Sequence, residues 1–175
     1  LINIASSAGA DAIKFQTFKA ESLVTIHAPK AEYQKTKLLK KESQFQMLKK
    51  LEFTDKMHQA CFKECKKKKI IFISSAFDIA NLYYLKKFNI DYFKVPSGEI
   101  TNIPYLEVLG KLKKKVILST GMSNIDEIKM AIKTLTINGT NKKNITVLQC
   151  TTAYPAPYED INLNTIAYLK DKLKL

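Results

Sequence analysis

The sequence contains no arginine, although it carries 29 basic and 16 acidic residues and a formal net charge of +13. Lysine therefore supplies every basic side chain. Proteins that read nucleic-acid bases and phosphates depend on the planar, bidentate guanidinium group of arginine. The densest basic run, residues 66–69, follows an apolar helical pattern and fits a solvated helix end, where lysine stabilises the helix dipole. The composition therefore disfavours nucleic-acid binding despite the high charge.

Long apolar segments are also missing. No apolar run approaches the roughly 20 residues that cross a bilayer. The first residues show no basic segment followed by a long apolar run, so no signal peptide is indicated. The cysteines Cys61, Cys65 and Cys150 are odd in number and lack the spacing of a disulfide framework. We therefore expect reduced thiols, a cytoplasmic location and no membrane partner.

Metal and nucleotide motifs are missing as well. The two histidines, His27 in a polar stretch and His58 on a helical face, do not belong to a convincing set of metal ligands. We expect surface or packing roles for both histidines and no metal site within this chain. No G-x-G-x-x-G turn or P-loop follows a predicted strand, which weakens a nucleotide-binding open sheet.

What the sequence does contain is a regular alternation of short apolar runs and helical patterns. Continuous apolar runs of strand length fit strands buried on both faces of a parallel sheet. We predict five strands, at residues 12–16, 70–73, 92–95, 116–118 and 145–148.

At least one helical pattern follows each predicted strand, with recognisable start signals. Residues 17–43 are predicted to be a lysine-rich loop with a helical turn or two. The helical signals are Phe45, Leu48 and Leu51; the N-cap Thr54 before a helix to about Lys68; Ile79, Leu82, Tyr83 and Phe88; Pro104 to about Gly110; Asn124 with Glu127 as a capping box; and Leu163 onward.

Strict alternation of strand and helix predicts a parallel sheet with right-handed crossovers. An open doubly wound sheet and a closed (β/α)8 barrel both satisfy the pattern. A TIM barrel needs eight strands and about 250 residues, whereas the chain has 175. The barrel interpretation therefore predicts a partial TIM barrel with about five of the eight strands.

Polar side chains collect where the predicted strands end, which is where TIM barrels carry their active sites. Lysine offers a point charge for a phosphate, and hydroxyls offer hydrogen-bond donors, so an anionic substrate is indicated. Lys14 interrupts an apolar run and is expected to point into the barrel. Glu99 can accept from sugar hydroxyls or transfer a proton. The strand-end residues are Lys14 and Gln16; Ser74 and Ser75; Lys94, Ser97 and Glu99; Ser119, Thr120 and Gly121; and Gln149, Thr151, Thr152 and Tyr154.

Two features of these strand ends suit a phosphate. The Ser97-Gly98 turn after Pro96 exposes backbone amides that could form an anion nest. A phosphate would also be well placed at the start of the helix that follows Asn124.

Two further functions fit the same residues. A Schiff-base aldolase would use Lys94 or Lys14 as its nucleophile. A basic, non-enzymatic RNA-binding module would show steeply salt-dependent binding, but the missing arginine argues against it.

Four runs, in the same order, resemble motifs of the sialic acid synthases: residues 9–18 (GADAIKFQTF), 93–102 (FKVPSGEITN), 117–122 (ILSTGM) and 150–157 (CTTAYPAP). The resemblance implies a (β/α)8 barrel followed by a small antifreeze-protein-like domain, assembled as a domain-swapped homodimer. It implies condensation of phosphoenolpyruvate with N-acetylmannosamine or a related 2-acetamido sugar, which gives a nonulosonic acid and phosphate. It also implies a divalent metal, manganese or magnesium, that activates the sugar aldehyde.

By motif position the resemblance gives each strand-end residue a role. Lys94 and Glu99 would be catalytic. The phosphoenolpyruvate ligands would be Lys94, Ser97, Ser119, Ser75 and Thr152. The sugar contacts would be Lys14, Gln16, Glu99 and Tyr154.

Some residues depart from the family pattern. Ser75-Ala76-Phe77 replaces the usual Thr-Pro-Phe, and Thr152 stands where several members have Asn. The first strand would precede Leu1, whereas the last strands, the metal-binding histidines and the antifreeze-like domain would follow Leu175. We therefore expect residues 1–175 to be the central part of the synthase barrel domain, without metal ligands and inactive alone.

Overall fold

The computed structural model describes residues 1–31, 34 and 42–175, so part of the loop predicted for residues 17–43 lies outside the described residues. Five strands form one sheet. They are β1 Ala12–Thr17, β2 Ile71–Ala76, β3 Tyr92–Val95, β4 Lys115–Ser119 and β5 Ile145–Leu148. All five predicted strands are confirmed.

The strands are all parallel and follow one another across the sheet in sequence order, β1-β2-β3-β4-β5. A doubly wound sheet reverses its strand order at a switch point. No reversal occurs here, and right-handed crossovers between successive neighbours place the helices on one face. The five strands are therefore consecutive strands of a TIM-barrel fold, which decides between the two predicted architectures.

Side chains bonded to backbone amides start most of the longer helices. Ser43 and Asn124 each form a capping box, and Thr54 accepts from the Met57 amide, as the sequence predicts for Thr54 and Asn124. The described helices are α1 Ile2–Ser7, α2 Ala20–Leu23, α3 Gln44–Leu51, α4 Asp55–Lys67, α5 Ile79–Lys86, α6 Ile103–Lys111, α7 Ile125–Ile137 and α8 Thr165–Leu173.

The core lies between the helices and one face of the sheet. Strand alternation places Phe15, Phe72 and Phe93 on this face, and Phe72 packs edge-on against Phe62 of α4 at 5.8 Å. One sequence prediction is wrong: Tyr83 is 52% exposed, and its neighbour Tyr84 packs against Phe88 instead. Tyr84 faces α4 because of its position on α5. The hydrophobic periodicity of an eight-residue helix does not distinguish which of two adjacent tyrosines is buried.

His58 has the packing role expected from the sequence, and Cys65 is also buried in the core. Cys65 is 1% exposed, and all three cysteines are free thiols. His58 is 2% exposed and packs edge-on against Phe53 and Tyr84. Within the described ranges, no helix combines the length and apolar character needed to span a bilayer.

Candidate active site

One row of side chains crosses the whole sheet on the face opposite the core. The backbone register pairs Gln16 with Ser75, Ser75 with Lys94, Lys94 with Ile117, and Ile117 with Thr146. Paired residues of parallel strands point to the same face. The sheet therefore aligns Gln16, Ser75 and Lys94, which the sequence placed only at separate strand ends. Lys14 and Ser119 lie on the same face, two residues away along β1 and β4 from this row.

The exits of β3, β4 and β5 meet at Gly121. The Gly121 amide donates to Ser97 Oγ at 3.0 Å. A methyl group on Gly121 would overlap Thr152 Oγ1 and would lie 2.9 Å from Ser97 Oγ. Two of the predicted phosphoenolpyruvate ligands, Ser97 and Thr152, are thus brought together. Since Ser97 Oγ accepts from the amide, its own hydrogen remains available to an anionic ligand.

Ser119 is arranged in the same way. The Cys150 thiol donates to Ser119 Oγ at 3.2 Å, and Ser119 is 5% exposed. A serine hydroxyl that accepts a hydrogen bond from another protein group can still donate its own hydrogen. Ser97 and Ser119 are therefore both oriented as donors, which suits a phosphate or carboxylate.

Two lysines give this face its positive charge. Burial, together with the Lys14 ammonium, lowers the pKa of Lys94 from 10.5 to about 8. Burial also lowers the pKa of Lys14. Lys94 Nζ donates to the Val95 carbonyl at 2.8 Å, which uses one of its three donor positions. Among the residues that the structure describes, no carboxylate forms a salt bridge with Lys14 or Lys94, so a bound anion would neutralise two like charges.

Glu99 lies in the 3₁₀ turn Ser97–Glu99 directly after β3, and its position is fixed by a neighbour. Asn102 Nδ2 donates to Glu99 Oε2 at 2.7 Å, while Asn102 Oδ1 accepts from the Tyr105 amide at 3.2 Å and caps α6. One amide side chain thus connects the carboxylate to a helix start. This connection holds Glu99 beside the strand exit.

The residues predicted to contact the sugar are more widely spaced than the predicted phosphoenolpyruvate ligands. Lys14 and Gln16 lie on β1 at one edge of the sheet. Tyr154 follows β5 at the other edge and is 65% exposed. Lys14 and Gln16 thus lie on one outer strand of the described sheet, and Tyr154 follows the other.

The start of α7 does not support the phosphate position that the sequence suggested there. Asn124 Oδ1 accepts from the amides of Asp126 and Glu127 at 3.0 Å each, and the Glu127 carboxylate accepts from the Asn124 amide at 2.8 Å. The capping box uses these donors, and its first turn carries two carboxylates. An anion is better accommodated by the hydroxyl hydrogens of Ser97 and Ser119, which are still available.

No three His, Cys, Asp or Glu side chains lie together as metal ligands in the part of the chain that the structure describes. The residues of this face are lysine, hydroxyl and amide groups, which do not form a site for manganese or magnesium by themselves. No chemical step is therefore derived through a metal.

Sequence reasoning missed three contributors to the site: the Cys150 thiol, the Gly121 amide and Asn102. Cys150 shares a strand exit with Thr152, so its position at the rim could have been inferred. The Gly121 amide and the Asn102 bond could not, because backbone donors and local side-chain pairs leave no distinctive pattern in a single sequence.

The fold and these contacts define a (β/α)-barrel protein with a lysine- and hydroxyl-rich rim at the carboxyl ends of its strands. The NeuB family matches residues 1–175, and the chain belongs to this family. The resemblance inferred from the four sequence runs is confirmed.

Two relatives are N,N'-diacetyllegionaminic acid synthases. The chain is 47% identical over 175 residues to that of Campylobacter jejuni subsp. jejuni serotype O:2, covering 100% of this chain and 52% of the relative. It is 39% identical over 177 residues to that of Legionella pneumophila subsp. pneumophila, covering 100% and 50%. The chain thus spans about half the length of these curated relatives.

Solved structures agree with the fold. The N-acetylneuraminic acid (sialic acid) synthetase from Leptospira borgpetersenii serovar Hardjo-bovis, solved in complex with citrate, superposes with a TM-score of 0.83 at 30% identity. The superposition covers 98% of this chain and 54% of that one. A truncated 3-deoxy-D-arabino-heptulosonate 7-phosphate synthase from Thermotoga maritima superposes with a TM-score of 0.67 at 12% identity, covering 97% of this chain and 52% of that one, and shows the fold alone.

Proposed function

We propose that the polypeptide carrying this chain condenses phosphoenolpyruvate with N-acetylmannosamine or a related 2-acetamido sugar, giving a nonulosonic acid and phosphate. The observation that carries the proposal is the half-buried Lys94 in a row with Ser75, on the face that also bears the donor-oriented Ser119. The names of the legionaminic acid and sialic acid synthases among the relatives support the same chemistry.

On this proposal Lys94, Ser75, Ser97, Ser119 and Thr152 bind phosphoenolpyruvate. The substrate carries a carboxylate and a phosphate, and the site offers one ammonium group with two donor positions left after its bond to Val95. Charge-assisted hydrogen bonds of this kind contribute about 1.5–3 kcal/mol each. A bound anion also neutralises the repulsion between Lys14 and Lys94.

Lys14, Gln16, Glu99 and Tyr154 contact the sugar on this proposal. Glu99 is held by Asn102, so its carboxylate can accept from a sugar hydroxyl or receive a proton without reorienting. Lys94 and Glu99 are the two proposed catalytic residues. The metal of the proposal, manganese or magnesium, would need ligands other than the described cluster of lysines and hydroxyls.

Phosphate release from phosphoenolpyruvate tests the proposal in the full-length polypeptide supplied with manganese and N-acetylmannosamine. We expect release that requires the sugar, and a loss of at least about 100-fold in kcat/KM for Lys94→Met. Lys115→Met is a matched control, because Lys115 lies on the same sheet face at the opposite end of β4. If no 2-acetamido hexose supports phosphate release, the proposal is wrong.

The lowered pKa of Lys94, about 8, favours one second candidate, a Schiff-base aldolase. Borohydride reduction in the presence of pyruvate distinguishes the two reactions. A synthase leaves Lys94 unmodified, whereas an aldolase leaves a reduced covalent adduct that mass spectrometry locates on Lys94.

Further expectations belong to the same proposal. The three free thiols, Cys61, Cys65 and Cys150, support a reducing, cytoplasmic location. The resemblance supports a homodimer, which light scattering of the full-length polypeptide tests, and it supports placing residues 1–175 at the centre of the barrel domain. Lysine-only basic composition supports the expectation that the partner is not a nucleic acid.

A further inference from the structure

Three polar side chains form a buried chain of hydrogen bonds behind the sheet, on the core side. Thr17 Oγ1 lies 2.9 Å from His58 Nε2 and 2.7 Å from Ser74 Oγ. His58 Nδ1 lies 3.1 Å from the Thr54 carbonyl oxygen. Thr17 is 3%, Ser74 0% and His58 2% exposed. Polar groups so deeply buried must satisfy one another.

The carbonyl at one end fixes the direction of every bond. A carbonyl oxygen only accepts, so His58 carries its proton on Nδ1 and donates it to Thr54. Nε2 is then an acceptor, and the Thr17 hydroxyl must donate to it. Ser74 therefore donates to Thr17 Oγ1. The chain runs from Ser74 through Thr17 to a neutral His58 on α4.

This chain lies directly behind the rim. Thr17 is the residue after Gln16, and Ser74 is the residue before Ser75. Alternation along each strand turns Thr17 and Ser74 toward α4 while Gln16 and Ser75, which are register partners, face the other way. A shift of Thr17 relative to Ser74 would displace Gln16 relative to Ser75 by the same amount.

We propose that His58 is a positioning residue: its hydrogen bond to Thr17, continued to Ser74, fixes the carboxyl ends of β1 and β2 so that Gln16 and Ser75 keep the spacing needed by both substrates. The role assigned to Gln16 and Ser75 rests on the proposed function. The mechanical coupling of the two strand ends does not rest on it.

Protonation of His58 would reverse the chain. A second ring proton would make Nε2 a donor to Thr17 Oγ1, so the Thr17 hydroxyl would lose its acceptor on His58 and would either turn its hydrogen to Ser74 or leave it unpaired. The charged and titratable groups facing His58 are Asp55 on α4, Lys19 after β1, and Asp78 and Tyr84 around α5, which line a shared cavity of about 250 Å³. Burial, only partly offset by the Thr54 carbonyl and Asp55, lowers the pKa of His58. The neutral His58 that this arrangement needs therefore persists to a pH below the ordinary histidine value of about 6.5, and the arrangement is lost only as pH falls further.

Hydrogen exchange of the full-length polypeptide, read by mass spectrometry on peptides covering residues 12–18 and 71–77, tests the coupling without any substrate. Thr17→Val keeps the side-chain shape and removes the hydroxyl, and we expect both peptides to exchange about tenfold faster. Thr17→Ser restores the hydroxyl and should return the wild-type rate. Thr140→Val is the matched control, because Thr140 is also 2% exposed and bonds a backbone carbonyl, that of Gly110, at the other end of the sheet.

Steady-state kinetics provide the second readout. Thr17→Val should raise KM for both substrates about tenfold, and Thr17→Ser should stay within about twofold of wild type. His58→Gln retains an acceptor for Thr17 but cannot titrate. We expect it to retain most activity, and we expect the activity of wild type, but not that of His58→Gln, to decline at a pH lower than the ordinary histidine value of about 6.5.

The possible outcomes separate the two claims. Unchanged exchange in Thr17→Val would overturn the positioning role even if the polypeptide is a synthase. If Thr17→Val exchanges faster but the wild-type polypeptide shows no synthase activity, the coupling is supported and the proposed function is wrong. If Thr17→Val does not fold, Ser74→Ala replaces it. Ser74→Ala keeps the Thr17–His58 bond and should speed exchange chiefly in residues 71–77. Unchanged exchange in that peptide would also overturn the positioning role.

Discussion

Lys94 combines three properties in one side chain. It lies in a row of polar side chains, it is half-buried, and a second lysine acts on it. Burial and the neighbouring Lys14 ammonium disfavour the charged form, and together they lower the pKa of Lys94 to about 8. A bound anion would stabilise the ammonium form of Lys94 and would raise its pKa toward the ordinary lysine value.

The pH dependence of phosphoenolpyruvate binding follows from this pKa. The anion binds the protonated form, and the protonated fraction of the free site falls as pH rises through about 8. We expect KM for phosphoenolpyruvate to rise about tenfold per pH unit above that value. Initial-rate measurements between neutral and alkaline pH check this, and Lys94→Met should abolish the rise. A KM that stays flat through this range would contradict the expected role of Lys94.

Gly121 provides a second test at the residue scale. In Gly121→Ala the methyl group would displace the Ser97 and Thr152 side chains, which are free to rotate, and the backbone could stay in place. We expect KM for phosphoenolpyruvate to rise at least about tenfold with little change in Tm.

Gly110→Ala should show the opposite behaviour and serves as the control. A methyl group on Gly110 would lie 2.9 Å from the Leu135 carbonyl oxygen on α7, so backbone must move. We expect a lower Tm and an unchanged KM for phosphoenolpyruvate. Equal effects of the two substitutions on KM would show that Gly121 acts only through packing.

Among the elements, α7 illustrates how a helix beside the site is stabilised without taking part in binding. Asn124 and Glu127 satisfy the first amides of α7 reciprocally. Asn124→Ala should lower the free energy of unfolding by about 1 kcal/mol and leave both KM values unchanged. Urea unfolding of the full-length polypeptide measures the first effect and initial rates the second. A large rise in KM would instead indicate that an anion uses the start of α7.

Local patterns determined much of what the sequence predicted about these elements. The observed bounds of β3 and β5 are the predicted ones, because a short, mostly apolar run leaves little choice of where the strand begins and ends. β2 extends beyond Ile73 to Ala76, since pairing with β1 and the bond from Ser74 to Thr17 keep polar residues in the strand. The N-terminus of α2 depends on Glu52, which accepts from the Ala20 amide at 2.8 Å across 32 residues. Such distant contacts have no local sequence signal.

The sequence predicted which residues lie at the candidate site but not how their hydrogen bonds are directed. The strand-end rule located Lys94, Ser97 and Ser119 on one rim, and the register then aligned Lys94 with Ser75 and Gln16. The donor direction of Ser97 and Ser119 was not predictable, because it depends on a backbone amide and a thiol from neighbouring strand exits.

At the scale of the whole molecule, the two outer strands have consequences for folding. Within the described part of the chain, β1 and β5 each pair with a single neighbour. An apolar cavity of about 600 Å³ runs along β5 and α8, where Leu148, Leu169 and Leu173 contribute to its lining. Open strand edges and unfilled apolar space favour association and partial unfolding.

We therefore expect residues 1–175 expressed alone to be inactive and poorly folded. Phosphate release, a thermal melt followed by circular dichroism, and binding of a hydrophobic dye measure these properties directly. The full-length polypeptide under the same conditions is the control. Robust turnover by the isolated segment would contradict this expectation.

If the proposed function holds, the contact at Gly121 limits how this protein can diverge toward new acceptors. Because Ser97, Gly121 and Thr152 leave no space for another carbon atom, the exits of β3, β4 and β5 can change only by paired substitutions, which arise seldom. The exposed side chain of Gln16 at the exit of β1 has no such restriction, although Thr17 behind it is bonded to His58 and Ser74. Natural variation in the accepted sugar is therefore expected to accumulate at the β1 side first. A laboratory library aimed at a new acceptor has more tolerant positions there than anywhere around Gly121.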